Sequence, residues 1–554
     1  MKKRLRAASI LLAALLGASQ LGGCGAEEKN ALADSSMDKE TQNYVAMAQN
    51  SEECILTDGA GPGSAEEYNE RTENEFIQTE RQPLSTFSAD VDTASYSIVR
   101  RMLNQGQGPS DIPSGAVRLE ELLNYFHYDY EAPREGQVFG ISIDGTDCPW
   151  QPEHGLVRIG IRTEAIDFSK SPRSNLVFLL DVSGSMYSPD KLPLLKQAFG
   201  MLVDNLDEKD RVSIVTYAGS DQIVLDGARG NEKGRIMDAL NSLEAGGGTY
   251  GSAGIRTAYE LAERNFILYG NNRIILATDG DLNIGETSQD ELKALVEEKR
   301  NGGVYLSVLG FGSGNLKDDR LETLADYGNG NYAYIDSLME AKKVLVDELG
   351  STLVTVAEDV KFQVEFNASY IKEYRLLGYE NRLLAAEDFT DDTKDAGEVG
   401  AGHTVTVLYE VVWADGAAGG TSGGQAGENA GGTSGGQAGE NAGGTSESQA
   451  GAGTGDWAAL RIRYKEPGAS ESKEMTRAIG ADCYQSDVSA ANMLLEASVA
   501  EFGLLLSGSQ YLGNSSYAHI LSMWEGAAQA DQEEIAEFLE LVRLAESRVA
   551  TPGE

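Results

Sequence analysis

The spacing of apolar and polar positions divides the chain into stretches of different character. Residues 25–80 have few apolar positions and no sustained period, so no packed core is expected there. Folded character begins near Pro83. Helical spacing (Val99, Met102, Leu103; Leu119, Leu122, Leu123, Phe126) precedes two period-two runs, 138–144 and 156–163, that read as strands. From Asn175 near-continuous apolar runs at 176–180, 212–217, 274–277 and 304–311 alternate with helical segments around 192–206, 235–243, 255–266 and 291–299. Strands apolar on both faces and separated by helices predict a doubly wound, mostly parallel α/β domain over 172–350. After 352 the period returns to two: Val360, Phe362, Val364 and Phe366, then Val405, Val407, Tyr409, Val411 and Trp413, then Leu460, Ile462 and Tyr464. These half-buried strands predict a β-rich domain over 351–480. Helices fill 481–554, and the last places Ile535, Phe538, Leu539 and Val542 on one face, expected to dock on the β-rich domain. The strands at 138–163, within the flanking region 81–171, are expected to pair with those after 352, which makes the α/β domain an insertion.

Between Trp413 and Trp457 a low-complexity insert covers 415–456. The unit GGTSGGQAGENA stands at 419–430 and again at 431–442, followed by a degraded copy. It reads as a flexible loop grown by tandem duplication. Its Gly420-Thr421-Ser422-Gly423-Gly424 string matches the G-x-S-x-G nucleophile elbow, but such a loop offers no strained strand-to-helix turn.

At the other end, Lys2, Lys3, Arg4 and Arg6 precede an apolar run at 7–16, too short to cross a bilayer core of about 30 Å. Residues 1–23 therefore read as an export signal. Its last residues, Leu21-Gly22-Gly23-Cys24, resemble the lipobox of bacterial lipoproteins, which implies that Cys24 is the lipidated first residue of the mature chain. Several acyl chains, at about 0.8 kcal/mol per buried methylene, would anchor it stably to the extracytoplasmic face of the cell membrane. Residues 24–80 would be an acidic tether; 25–80 holds 14 Asp or Glu against Lys29, Lys39 and Arg71.

Charge narrows the partners. With 45 basic and 87 acidic residues the formal charge is −42, which repels phosphate backbones and excludes nucleic acid. Four cysteines and four histidines, widely scattered, do not make a zinc or iron–sulfur site. Cys148 and Cys483 are a candidate pair in an exported protein, and Cys54 lies in the tether.

The first strand of the α/β domain runs into Asp181-Val182-Ser183-Gly184-Ser185. A carboxylate and two hydroxyls at alternate positions can be aimed at one point by a tight turn, and hard oxygen donors suit Mg²⁺. Thr249 follows the glycine run 246–248, and Asp279 ends a later buried strand. In an open parallel sheet, ligands bind beyond the carboxyl ends of the strands, where these elements meet.

DVSGS, GGGTYG and TDGD in that order resemble the von Willebrand factor type A domain, a Rossmann-like fold. The stretches PLSTFSADVDTASYSIVRR and YRLLGYENRLLAAEDFTDDTKDAGEVGAGHTV resemble the flanks of bacterial YfbK-like proteins, and the likeness covers about 83–550. It implies a metal-ion-dependent adhesion site of Asp181, Ser183, Ser185, Thr249 and Asp279 holding Mg²⁺, or else Mn²⁺ or Ca²⁺. One vertex would stay open for an Asp or Glu carboxylate of a partner protein. The expectation is a non-enzymatic, lipid-anchored cell-surface binding protein. An envelope scaffold with a passive docking domain is the alternative. A metal-assisted hydrolase is a further one, disfavoured because no general base or nucleophile accompanies the ligands and the second aspartate of D-x-D is missing. A second acidic run, Asp388, Asp391, Asp392, Asp395 and Glu398, fails the EF-hand spacing and reads as a solvated turn.

Overall fold

The computed structural model describes residues 65–549 apart from 90–91, 166–171, 249–250, 281–288, 418–454 and 486–490. The export signal, Cys24, Cys54, Thr249 and the body of the insert lie outside the described residues.

At the centre of a six-stranded sheet runs Ser174–Asp181, buried along its whole length. The strand order is Tyr332–Ile335, Tyr305–Phe311, Asn271–Thr278, Ser174–Asp181, Arg211–Tyr217, Asp221–Arg229. The first five are parallel, and the last is an antiparallel edge, so the sheet is mixed. Its two faces use alternate residues of each strand. Val177, Leu179, Ile274 and Leu276 pack with Ile255 and Ala258 of the helix Gly251–Arg264. Leu176, Phe178, Leu180 and Ile275 pack with Leu195 and Phe199 of the helix Leu192–Asn205.

The remaining strands form two antiparallel sheets. One has the order Ile77–Gln78, Ile371–Leu377, Thr404–Trp413, Gln151–Thr163, Phe139–Cys148. The other runs Gly397–Gly400, Thr355–Phe366, Asp456–Lys465, Ser472–Gly480, with Leu84–Ser88 also on Thr355–Phe366. The expected long-range pairing is present: Ile161 faces Val405 and Ile159 faces Val407. Those four side chains share one core with Phe362, Val364, Leu460 and Ile462 of the second sheet, so the two sheets stack as a sandwich. The six-stranded domain is inserted into it. Trp413 and Trp457, on the strands that lead into and out of the insert, bring their rings to 4.8 Å.

Two expectations are corrected. Residues from Ala65 onward, read as the end of the tether, are packed on the folded body. Glu66 accepts from Arg101 at 2.7 Å and from the Gly314 amide at 2.7 Å. Glu73 meets Arg375 at 2.8 Å, and Ile77–Gln78 joins a sheet. Ion pairs with half-buried and buried bases hold this strap, and ion pairing leaves no hydrophobic period to read. The last helix, Glu533–Ser547, buries Ile535, Phe538, Leu539 and Val542 as expected, but against helices. Phe538 meets Phe126 at 5.7 Å and Phe502 at 5.5 Å. The helices Tyr517–Met523 and Ala94–Asn104 lie against the last helix, and Ala491–Ser507, apolar on most of its surface, contributes Phe502. Cys148 and Cys483 are free thiols; Cys148 is fully buried. Among the described residues no helix is long and apolar enough to cross a membrane.

Candidate functional site

Asp181 and Asp279 stand at the carboxyl ends of neighbouring parallel strands, and both are buried, at 0% and 1% exposure. Asp181 is oriented on both oxygens. The Ser183 amide donates to Oδ1 at 2.8 Å, and the Thr278 hydroxyl donates to Oδ2 at 3.0 Å. Burial, reinforced by the Asp279 carboxylate, pushes Asp181 up to about 6 in spite of those hydrogen bonds. Ser183 and Ser185 bring their hydroxyls to 2.9 Å of each other; Ser183 is buried and Ser185 exposed. A tight turn, with the short 3₁₀ segment Gly184–Tyr187, produces this arrangement.

The glycine run is laced to the same turn. The Gly246 amide donates to the Val182 carbonyl at 2.8 Å, and the Gly184 amide to the Gly247 carbonyl at 3.2 Å. Thr249 itself lies outside the described residues. Asp181, Ser183, Ser185 and Asp279 are thus gathered at one end of the sheet, beside the loop that carries Thr249. Two buried carboxylates with facing hydroxyls are a hard-oxygen donor set that fits a divalent ion.

Two participants escaped the sequence reading. Thr278 braces Asp181. Lys191, 88 positions before Asp279 in sequence, donates from Nζ to Asp279 Oδ2 at 2.9 Å. The signal for Lys191 was a cation immediately before a helix, where the helix dipole disfavours one. Tyr187, 81% exposed, stands on the rim of the same turn.

The second acidic run is dispersed. The Asp388 carboxylate accepts from the Ala385 amide, Asp391 from Thr393, and Asp392 from Arg463 at 2.8 Å. Asp395 and Glu398 instead gather with Asp359, their oxygens within 4.8 Å of one another. This cluster, outside the inserted domain, can in principle coordinate an ion. Lys465 at 2.6 Å from Asp359 and Arg300 at 2.5 Å from Asp395 already supply positive charge. Two of the histidines are held by carboxylates: His154 bonds Glu410, and His519 bonds Glu501 at 2.9 Å. A cavity of about 330 Å³ is lined by Thr93, Asn124, His127, Glu348 and His403 and by neither aspartate of the pair.

Comparison with known proteins divides the chain in the same way. Residues 175–348 match the von Willebrand factor type A domain, 62–158 match a family described as von Willebrand factor, and 351–548 match one described as uncharacterized protein YfbK, C-terminal. The uncharacterized protein YfbK of Escherichia coli strain K12 is 38% identical over 496 residues, spanning 88% of this chain and 82% of its own. Human inter-alpha-trypsin inhibitor heavy chain H3 is 26% identical over 202 residues, 33% of this chain and 22% of its own length. Among solved structures, the von Willebrand factor type A protein from Catenulispora acidiphila is 13% identical, covers 76% of this chain and 91% of its own, and superposes with a TM-score of 0.40.

Proposed function

The chain belongs to the YfbK family of proteins with a von Willebrand factor type A domain, and from that premise we propose a metal-dependent protein-binding role on the extracytoplasmic side of the cell membrane. As a protein of this kind it mediates protein–protein contacts and is non-enzymatic. The finer reading is that Asp181, Ser183, Ser185, Thr249 and Asp279 hold Mg²⁺, with Mn²⁺ or Ca²⁺ as substitutes, and that a carboxylate of the partner completes the site. The observation that carries it is the pair of buried carboxylates beside two hydroxyls 2.9 Å apart.

When bound, the ion supplies a positive centre with room for one further oxygen. The chain's own part is orientation. Ser183 and Thr278 fix Asp181, and Lys191 holds Asp279. Few protein carboxylates around the ion leave it residual charge, so it attracts an Asp or Glu even on a protein of charge −42. The lipid anchor at Cys24 would keep the domain at the membrane surface.

The test is capture of envelope proteins on immobilised wild type and Asp181→Ala. Partners are expected in Mg²⁺, and none with EDTA or with the variant. Capture indifferent to both treatments would make the domain a passive docking platform. Radiolabelled fatty acid should enter the wild type and not Cys24→Ala.

A further inference from the structure

A charge of unfavourable sign opens the helix Leu192–Asn205. Lys191 stands immediately before its first turn, where the unbonded amides favour an anion, and its side chain makes no cap there. The side chain runs instead to the strand ends. It is 7% exposed and donates to Asp279 Oδ2 at 2.9 Å. Its path is built for it. Gly312, at φ +69°, lets the lysine pass; a methyl group there would lie 2.2 Å from Lys191 Cγ and 2.3 Å from Cε. The preceding residue is tied to the same loop, since Asp190 accepts from the Ser313 amide at 3.3 Å.

We infer that Lys191 is a built-in counter-ion of Asp279 that holds down the site's own affinity for a divalent ion, so that tight uptake requires the partner's carboxylate as well. The inference rests on the ion site proposed above and adds its regulation. Asp181 and Asp279 together offer two negative charges, and the ammonium cancels one of them. Between side chains this buried, a cation beside a coordinating carboxylate weakens the hold on a second cation strongly. An arriving carboxylate restores the missing negative charge. Ion and partner then strengthen each other's binding, and by linkage the effect is equal in both directions.

The probe is Mn²⁺ alone, titrated calorimetrically into the full-length protein as wild type, Lys191→Met, Asp279→Asn and the double variant. Methionine retains an unbranched stem over Gly312 without the charge; Lys191→Gln is the second variant should the first fail to fold. Lys191→Met is expected to bind Mn²⁺ about tenfold tighter than wild type. It should unfold at a lower temperature without the ion and gain more from its addition. In the Asp279→Asn background the same substitution should change affinity little. A lysine with a merely structural role would lower the ion-free unfolding temperature and weaken Mn²⁺ binding. That result, or unchanged affinity, overturns the inference. Binding seen only in Lys191→Met supports it. No Asp181-dependent binding in wild type or variants overturns the ion site itself, and the inference with it.

Discussion

His403 shows how burial acts on a single titrating side chain. Its ring Nδ1 is shut off from solvent and has no hydrogen-bond partner among the described residues, and burial pulls its pKa down to about 4. An unfolded histidine titrates near 6.5. As pH falls, the unfolded chain therefore takes up a proton before the folded one. Stability from this residue is complete above about 6.5 and is lost down to about 4, with an upper limit of about 3 kcal/mol for that gap. The residue as a whole is only half-buried, which lowers the figure. Urea unfolding at pH 7 and pH 4.5 should show a smaller acid-induced loss in His403→Gln than in wild type. The placement of Asp181, Ser183, Ser185 and Asp279 was legible because they lie at or just beyond the ends of apolar strands. Thr278 and Lys191 were not, because their partners are fixed by the fold and not by spacing.

At the scale of elements, the turn after Asn271–Thr278 sets the geometry of the site. Gly280 has φ +104°, and a methyl group there would lie 2.5 Å from the Lys317 nitrogen and 2.6 Å from the Asn315 oxygen. Gly280→Ala forces a strained backbone and a shift of the 312–317 loop, at a cost of roughly 1–3 kcal/mol from the backbone alone. Because that loop also packs on Lys191, the variant should lose urea midpoint and ion response together, which a parallel urea and Mg²⁺ titration would register. The four inner strands of the inserted domain were readable because they are apolar on both faces; the edge strands Asp221–Arg229, mostly exposed or half-buried, and Tyr332–Ile335, only four residues long, were not. The last helix was readable as a helix, since Ile535, Phe538, Leu539 and Val542 recur at helical spacing. Its docking partner was not, because an apolar stripe names no surface. The strap from Ala65 stayed hidden for a different reason: Glu66, Glu67 and Glu73 look like solvated acids until Arg101, Lys317 and Arg375 are brought to them.

Across the whole molecule, a buried charge network joins the parts. Arg118, 1% exposed, pairs with Glu121 and with Asp318 of the helix Asp318–Tyr327. Glu322 of the same helix meets Arg71 of the strap at 2.8 Å and accepts from Asn381, beyond the strand Ile371–Leu377, at 2.6 Å. Removing the central guanidinium leaves buried carboxylates uncompensated, and such losses typically reach about 3–5 kcal/mol. Arg118→Met should therefore lower global stability by that order in denaturant unfolding. An inserted domain held this firmly presents the loops around Asp181 and Asp279 from a fixed platform.

Metal-dependent binding turns on whether the aspartate pair takes an ion. Thermal unfolding of wild type and Asp181→Ala, with and without millimolar Mg²⁺, tests this most directly. An ion present at a hundred times its dissociation constant adds about 2.7 kcal/mol to the folded state. The expected result is a rise in unfolding temperature in the wild type that EDTA reverses and Asp181→Ala lacks. An equal rise in both proteins, or none in either across the Mg²⁺ titration, would contradict a metal-dependent binding site at these residues.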